Sequence, residues 1–178
     1  VADTHYNILA IEEQIAIANS RGVDLIVFPE LSITGYSCQD LFHSQLLLEK
    51  AEEALMHLLD FSRKLDIISV VGMPVAVGDI LLNCAVVVQQ GVIIGIVPKT
   101  FLPNYGEFYE KRWFCSALDI HSQTIYIAGS PITITPEPKV FTTYDGLKFG
   151  IEICDASLKS TYIPNDACCA DVDGDGEV

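Results

Sequence analysis

Positive charge is scarce in these 178 residues: ten Lys and Arg face 24 Asp and Glu, for a formal net charge of −14. Such a balance argues against a nucleic-acid or anionic-membrane surface as the natural partner. Five acids with no intervening base (Asp166, Asp171, Asp173, Asp175, Glu177) concentrate part of that charge at the C-terminus, leaving −9 on the remainder. Long apolar runs are missing too. Gly91 and Pro98 punctuate the longest stretch, and none approaches the ~20 residues of a membrane span. The N-terminus has neither a basic leader nor an apolar signal core, and its first residue is Val rather than Met. Natural translation need not start there. The six cysteines (38, 84, 115, 154, 168, 169) contain no C-x-x-C pair, which argues against a zinc site and a small disulfide scaffold. A reducing cytoplasm with mostly buried thiols is expected. The vicinal pair Cys168–Cys169 has no explanation at this level.

What is present is hydrophobic material: half of the residues are apolar, enough for one domain with a sizeable core and against general disorder. Its periodicity alternates between helical and extended. Ile8, Ile11, Ile15 and Ala18 recur at three and four residues, predicting a helix that ends near Gly22. Val23–Phe28 follows as a short buried parallel strand closed by Pro29 and Glu30. Leu47, Ala51, Ala54, Leu55 and Leu58 give one apolar face to a helix read over Asp40–Lys64. Beyond it, strands are expected at Ile67–Gly72, at Asn83–Val88 and Val92–Val97 around a Gln-Gly turn, and near Thr124–Ile127, Ile132–Ile134 and Leu147–Ile153. Leu102–Phe114 reads as a loop with one helical turn. The class is an α/β layered domain opening with a β-α-β unit.

Three positions could carry chemistry. Glu30 follows the first strand, where open α/β sheets place ligands and where desolvation can suit a carboxylate to proton transfer. Lys99 follows another apolar strand and could stabilise an oxyanion. Cys154 ends the Gly-Ile-Glu-Ile-Cys strand and could attack as a thiolate. Taken singly, each also fits a solvated acid, a surface lysine or a buried core thiol.

Together, Val-Phe-Pro-Glu30 with Thr-Gly-Tyr36 after it, Lys99 before Pro-Asn-Tyr-x-Glu-Phe-Tyr-Glu110, and Gly-Ile-Glu-Ile-Cys154 resemble the nitrilase superfamily of carbon–nitrogen hydrolases. The stretches Thr-Gly-Tyr-x-Cys-x-Asp-Leu-Phe42 and Leu-Pro-Asn-Tyr-x-Glu-Phe-Tyr-Glu110 look most like the glutaminase domain of bacterial glutamine-dependent NAD synthetases. The resemblance runs from about Asp3 to Cys154. It implies a nitrilase-like αββα sandwich, incomplete in this chain, over residues 1–158. It also implies a Cys–Glu–Lys triad: Cys154 as nucleophile, Glu30 as base and acid, Lys99 as oxyanion stabiliser. Glu110 aligns with an additional active-site Glu, and Tyr36 and Tyr105 with tyrosines of the glutamine pocket. Glutamine is the implied substrate and an ATP-dependent NAD synthetase domain the implied partner. No cofactor is implied for the glutaminase step, and a cytoplasmic homo-oligomer is expected.

The chain departs from the family's pattern in several ways. Asp155-Ala-Ser-Leu158 replaces the family's Glu-Asp-Leu-Trp after the nucleophile. The strand that normally precedes the first helix is missing, as are the elements after the Cys and the Ser and Arg that hold the glutamine carboxylate. The Ser-Gly-Gly-x-Asp-Ser phosphate loop of the synthetase domain is also absent. Without its partner layers, one face of a β-branched sheet is expected to stay exposed. A fragment, or a truncated sequence joined to a foreign one, is therefore expected, and an inactive structural or assembly module is the alternative function. A nitrile or carbamoyl substrate also stays open. In the unassigned tail, 159–178, Asp171, Asp173 and Asp175 occupy positions one, three and five of a truncated EF-hand or dockerin-like calcium loop.

Overall fold

The computed structural model describes residues 1–153 and the strand Cys168–Asp171. Helix α1, Thr4–Ser20, starts where the Asp3 carboxylate accepts the Tyr6 N–H at 3.0 Å. It buries Ile8, Ile11 and Ile15 as their spacing predicts, and the chain leaves it through Gly22 at φ +73°. Helix α2, Gln45–Ser62, buries Ala51, Ala54, Leu55 and Leu58 against α1 and the sheet, and Leu47 in a separate cluster with Phe42 and Leu31. Glu12 of α1, itself buried, meets His57 Nδ1 of α2 at 2.7 Å.

The helix expected from Asp40 begins later. Residues Tyr36–His43 form kinked 3-10 turns, with Gln39 at φ 52°, and the α-helix starts after the extended Ser44. A side-chain contact accounts for the break. The Asp40 carboxylate is taken by Arg112 Nε (2.6 Å) and Nη2 (2.8 Å) and by Trp113 Nε1 (3.0 Å), and so faces a distant segment rather than a helix of its own.

The main sheet has the order β1-β2-β3-β4: Leu25–Val27, Ile68–Val77, Ile80–Gln89 and Val92–Pro98. β1 and β2 are parallel, joined through α2, and the other pairs are antiparallel. β1 is half-buried and shorter than expected. β2 and β3 are longer, because a turn at Gly78–Asp79 pairs Met73–Val77 with Ile80–Cys84. At the expected Gln-Gly turn, Gln90 (φ 49°) and Gly91 (φ 77°) both take the positive φ that a two-residue hairpin of primed type requires. β5 (Gln123–Ile127) and β6 (Ser130–Ile134) form a separate hairpin near the predicted positions. A third sheet contains β7 (Val140–Thr142), which the sequence reading missed, and β8 (Lys148–Glu152), near its predicted place. It also contains β9 (Cys168–Asp171), parallel to β8, inside the stretch read as an acidic tail.

The two faces of the main sheet are distinct. Val71, Met73, Val75, Leu82, Cys84 and Val86 join α1 and α2 in one core. Ile68, Val70, Ala85 and Val87 face the other way, onto Phe141, Phe149, Ile151 and Ile153. Gly95 makes this second interface close, since a Cβ there would lie 2.6 Å from the Phe141 ring. The expectation of a bare sheet face is thereby corrected: Val70, Ala85 and Val87 are fully covered, and burying each of the two valine side chains contributes about 1.5–3 kcal/mol. The described residues form a helix layer, the main sheet and a second sheet layer. Among the described residues, no helix is long and apolar enough to cross a membrane.

Candidate active site

After β1 the chain turns away from the sheet but stays tied to β2. Phe28 N–H donates to Val70 O (2.9 Å), Ile33 N–H to Gly72 O (3.0 Å), and Gly72 N–H to Ser32 Oγ (3.0 Å). Leu31, at φ 53° and fully buried, packs with Cys38, Phe42, Leu47, Leu81 and Phe114. This turn carries Glu30 to the end of the sheet.

Lys99 arrives from β4. Its N–H donates to Asn83 O at 2.7 Å and its carbonyl accepts the Ala117 N–H at 2.9 Å, so the backbone is held on both sides. Glu110 opens the 3-10 turn Glu110–Arg112 inside the predicted loop. The three side chains converge. Lys99 Nζ lies 2.8 Å from Glu30 Oε1 and 2.9 Å from Glu110 Oε1, and its side chain is 0 % exposed. Tyr36 donates its hydroxyl to Glu110 Oε1 at 2.7 Å. Asn83 donates its Nδ2 to Glu30 Oε1.

Burial pulls the Lys99 ammonium down, but the charges and hydrogen bonds of Glu30 and Glu110 outweigh it and hold its pKa above the ordinary value. Glu110 is pushed up, first by burial and further by the like charge of Glu30, against the opposing pull of Lys99 and Tyr36. One ammonium cannot neutralise two carboxylates, and the deeper one bears the imbalance. Glu110 Oε2 is buried and has no partner among the described residues, as is true of Asn83 Oδ1.

Of the sequence-derived candidates, Glu30, Lys99, Glu110 and Tyr36 are thus brought together. Tyr105 is 61 % exposed, with its ring edge-on to Phe108, and lines a depression that shares Thr100, Phe101 and Leu118 with the cavity at Lys99. That cavity, of about 220 Å³, is also bordered by Glu152 and Ile153 at the end of β8. Cys154 lies outside the described residues, as do Asp173 and Asp175; the backbone of Asp171 pairs with Glu152 in β9. Among the described residues, no three metal-ligating side chains cluster.

Two participants escaped the sequence reading. Asn83 is an amide in an otherwise apolar strand segment, Leu81-Leu82-Asn83-Cys84-Ala85, and that break in the pattern was its signal. Arg112 binds Asp40 across the surface and holds that carboxyl well below the usual carboxylate range. Nothing in the local sequence of Arg112 or Asp40 announced that pairing.

Residues 1–161 match the carbon-nitrogen hydrolase family. The chain belongs to that family. Among curated relatives, it is 34 % identical over 157 residues to the glutamine-dependent NAD(+) synthetase of Mycobacterium tuberculosis, covering 87 % of this chain and 23 % of the relative. To the enzyme of that name from Oryza sativa it is 37 % identical over 161 residues, covering 89 % and 21 %. The chain therefore spans less than a quarter of the length of these relatives. The crystal structure of a glutamine-dependent NAD(+) synthetase from Cytophaga hutchinsonii superposes with a TM-score of 0.77 at 31 % identity, covering 86 % of this chain and 26 % of that one. An amidase from Nesterenkonia sp. shares the fold, with a TM-score of 0.63 at 21 % identity, covering 85 % of this chain and 50 % of that one. The nitrilase resemblance and the layered α/β class drawn from the sequence agree with these findings.

Proposed function

We propose that this carbon-nitrogen hydrolase chain is a glutaminase, the ammonia-releasing part of a glutamine-dependent NAD synthetase. The observation that carries the reading is the buried Glu30–Lys99–Glu110 cluster, in which two carboxylates share one ammonium at the end of the sheet. It is supported by likeness to synthetases whose names specify glutamine dependence.

In this reading Glu30 takes the Cys154 thiol proton, and the sulfur attacks the side-chain amide carbon of glutamine. Lys99, fixed by both carboxylates, steadies the resulting oxyanion. Glu30 returns the proton to the amide nitrogen as the C–N bond breaks, releasing ammonia and leaving a γ-glutamyl thioester. Water then loses a proton to Glu30, adds to the thioester carbonyl and expels the Cys154 sulfur, which recovers that proton; glutamate leaves. No cofactor enters these steps. Glu110 orients Lys99, and Tyr36 orients Glu110. The ammonia would serve an ATP-dependent synthetase domain.

The test is glutamine hydrolysis by the 178-residue chain, with an electrophilic glutamine analogue as active-site label and mass spectrometry to locate it. Ammonia release lost in Cys154→Ala, with the label on Cys154, is the expected result. Cys84 is a built-in control: it is buried, its thiol pKa is raised by that burial, and it should stay unlabelled in the native chain. A folded chain that neither releases ammonia nor takes the label on Cys154 would overturn the proposal.

A further inference from the structure

Glu30 has two oxygens, and the structure treats them differently. Both of its hydrogen bonds, from Lys99 Nζ and from Asn83 Nδ2, land on Oε1. Oε2 receives none among the described residues. An oxygen with two donors is the less basic of the pair, so a proton arriving at this carboxylate goes to Oε2. Which oxygen is left available depends on what fixes the carboxylate's rotation, and Lys99 alone cannot fix it. Its ammonium is shared with Glu110, and a point charge constrains rotation less than an amide arm does.

Asn83 is placed to do this. It sits in the middle of β3, 1 % exposed, on the face that also carries Ala85 and Val87 toward the second sheet. Its carbonyl accepts the Lys99 N–H while its side-chain amide donates to Glu30, so one residue sets the positions of both the base and the cation. Its Oδ1 is buried without a partner among the described residues, and the bond to Glu30 is the side chain's one hydrogen bond there. A buried half-satisfied amide in a strand of Leu, Val and Ala weakens the core and serves packing poorly.

We infer that Asn83 is a positioning residue for proton transfer: it clamps Glu30 Oε1 and so presents Oε2 as the atom that takes and returns the proton. The inference rests on the glutaminase reading for its chemistry, while the clamp itself can be measured without turnover.

Two readouts on Asn83→Leu, which is close in volume and apolar, separate these. In steady-state glutamine hydrolysis, kcat should fall roughly 100-fold, the lower range for losing an effective acid–base group, with KM changed less than about twofold. In crystal structures of parent and variant, the Glu30 carboxylate should be rotated in the variant while Lys99 Nζ keeps its contact with Glu110, because the amide that fixes Oε1 is gone. Among the described residues, the charged and titratable groups facing Glu30 are Lys99, and behind it Glu110 with the Tyr36 hydroxyl. All are unchanged in the variant, so the comparison isolates Asn83. An unrotated Glu30 carboxylate, or a kcat within about threefold of the parent, would overturn the inference. Should the parent itself hydrolyse no glutamine, the glutaminase reading falls and the carboxylate's orientation alone decides the clamp. If Asn83→Leu does not fold, Asn83→Ser, too short to reach Glu30, is read in the same two ways.

Discussion

Gly72 lies directly beneath Leu31: a Cβ added to Gly72 would stand 2.2 Å from the Leu31 nitrogen and 2.9 Å from the Glu30 carbonyl carbon. No real Cβ tolerates such contacts with backbone. The absent side chain in β2 is what lets the Glu30 turn lie flat on the sheet and receive its hydrogen bonds from and to Gly72. This contact converts strand geometry into the position of a carboxylate.

Gly72→Ala should therefore do more than a usual glycine replacement in a strand, where alanine often helps. Overpacking of this kind costs about 1–3 kcal/mol, and urea denaturation should show it as a lower midpoint with an unchanged slope. The displaced turn moves Glu30 off Lys99, so ammonia release should fall further than the loss of folded chain explains. A variant as stable as the parent would show that the turn can lift away freely.

Among the described residues, the Lys99 ammonium is the single positive charge between the two carboxylates, and removing it leaves both without a cation. Lys99→Met should cost about 3–5 kcal/mol, the range for breaking a buried pair from one side. The double variant Lys99→Met, Glu110→Gln should recover a substantial part of that loss, because the deeper carboxylate is then neutral. Denaturation midpoints of the parent, both single variants and the double variant complete the cycle. Additive effects would mean that Lys99 and Glu110 do not interact energetically, despite lying 2.9 Å apart.

These two relationships differ in how far the sequence disclosed them. Glu30 and Lys99 were legible as candidates because each follows an apolar strand, whereas Glu110 came only through the family resemblance of the polar-aromatic loop that holds it. Both helical stripes and the Gln90–Gly91 turn were readable from local pattern. Gly72 and Asn83 were not, because their roles depend on which turn lies over which strand, and that is a tertiary fact. The break at Asp40 was missed for a related reason: its apolar periodicity continues, and the competing partner, Arg112, lies 72 residues away. The cover on the second sheet face came from three-residue β7 and five-residue β8, too short for periodicity to declare where they pack.

The titration of Glu110 gives the last prediction, and its sign can be worked out. Folding raises this carboxyl above its ordinary value, with burial as the leading cause. A raised group binds its proton more tightly in the folded state, so its stabilising contribution is complete below the unfolded pKa of about 4.5 and is lost as pH rises through the folded value. Glu110→Gln is neutral at every pH and loses nothing over that interval. The stability of Glu110→Gln relative to the parent should therefore improve as pH rises from about 4 toward neutrality, measured by urea denaturation at a series of pH values. Lys99 is raised too, chiefly against its own burial by the two carboxylates. Its contribution stays complete until the alkaline range and cannot produce a trend in the acidic one. A relative stability that is flat or falls between pH 4 and 7 would mean that Lys99 and Tyr36 together hold Glu110 at or below its ordinary value. Burial would then not be the dominant influence on this site.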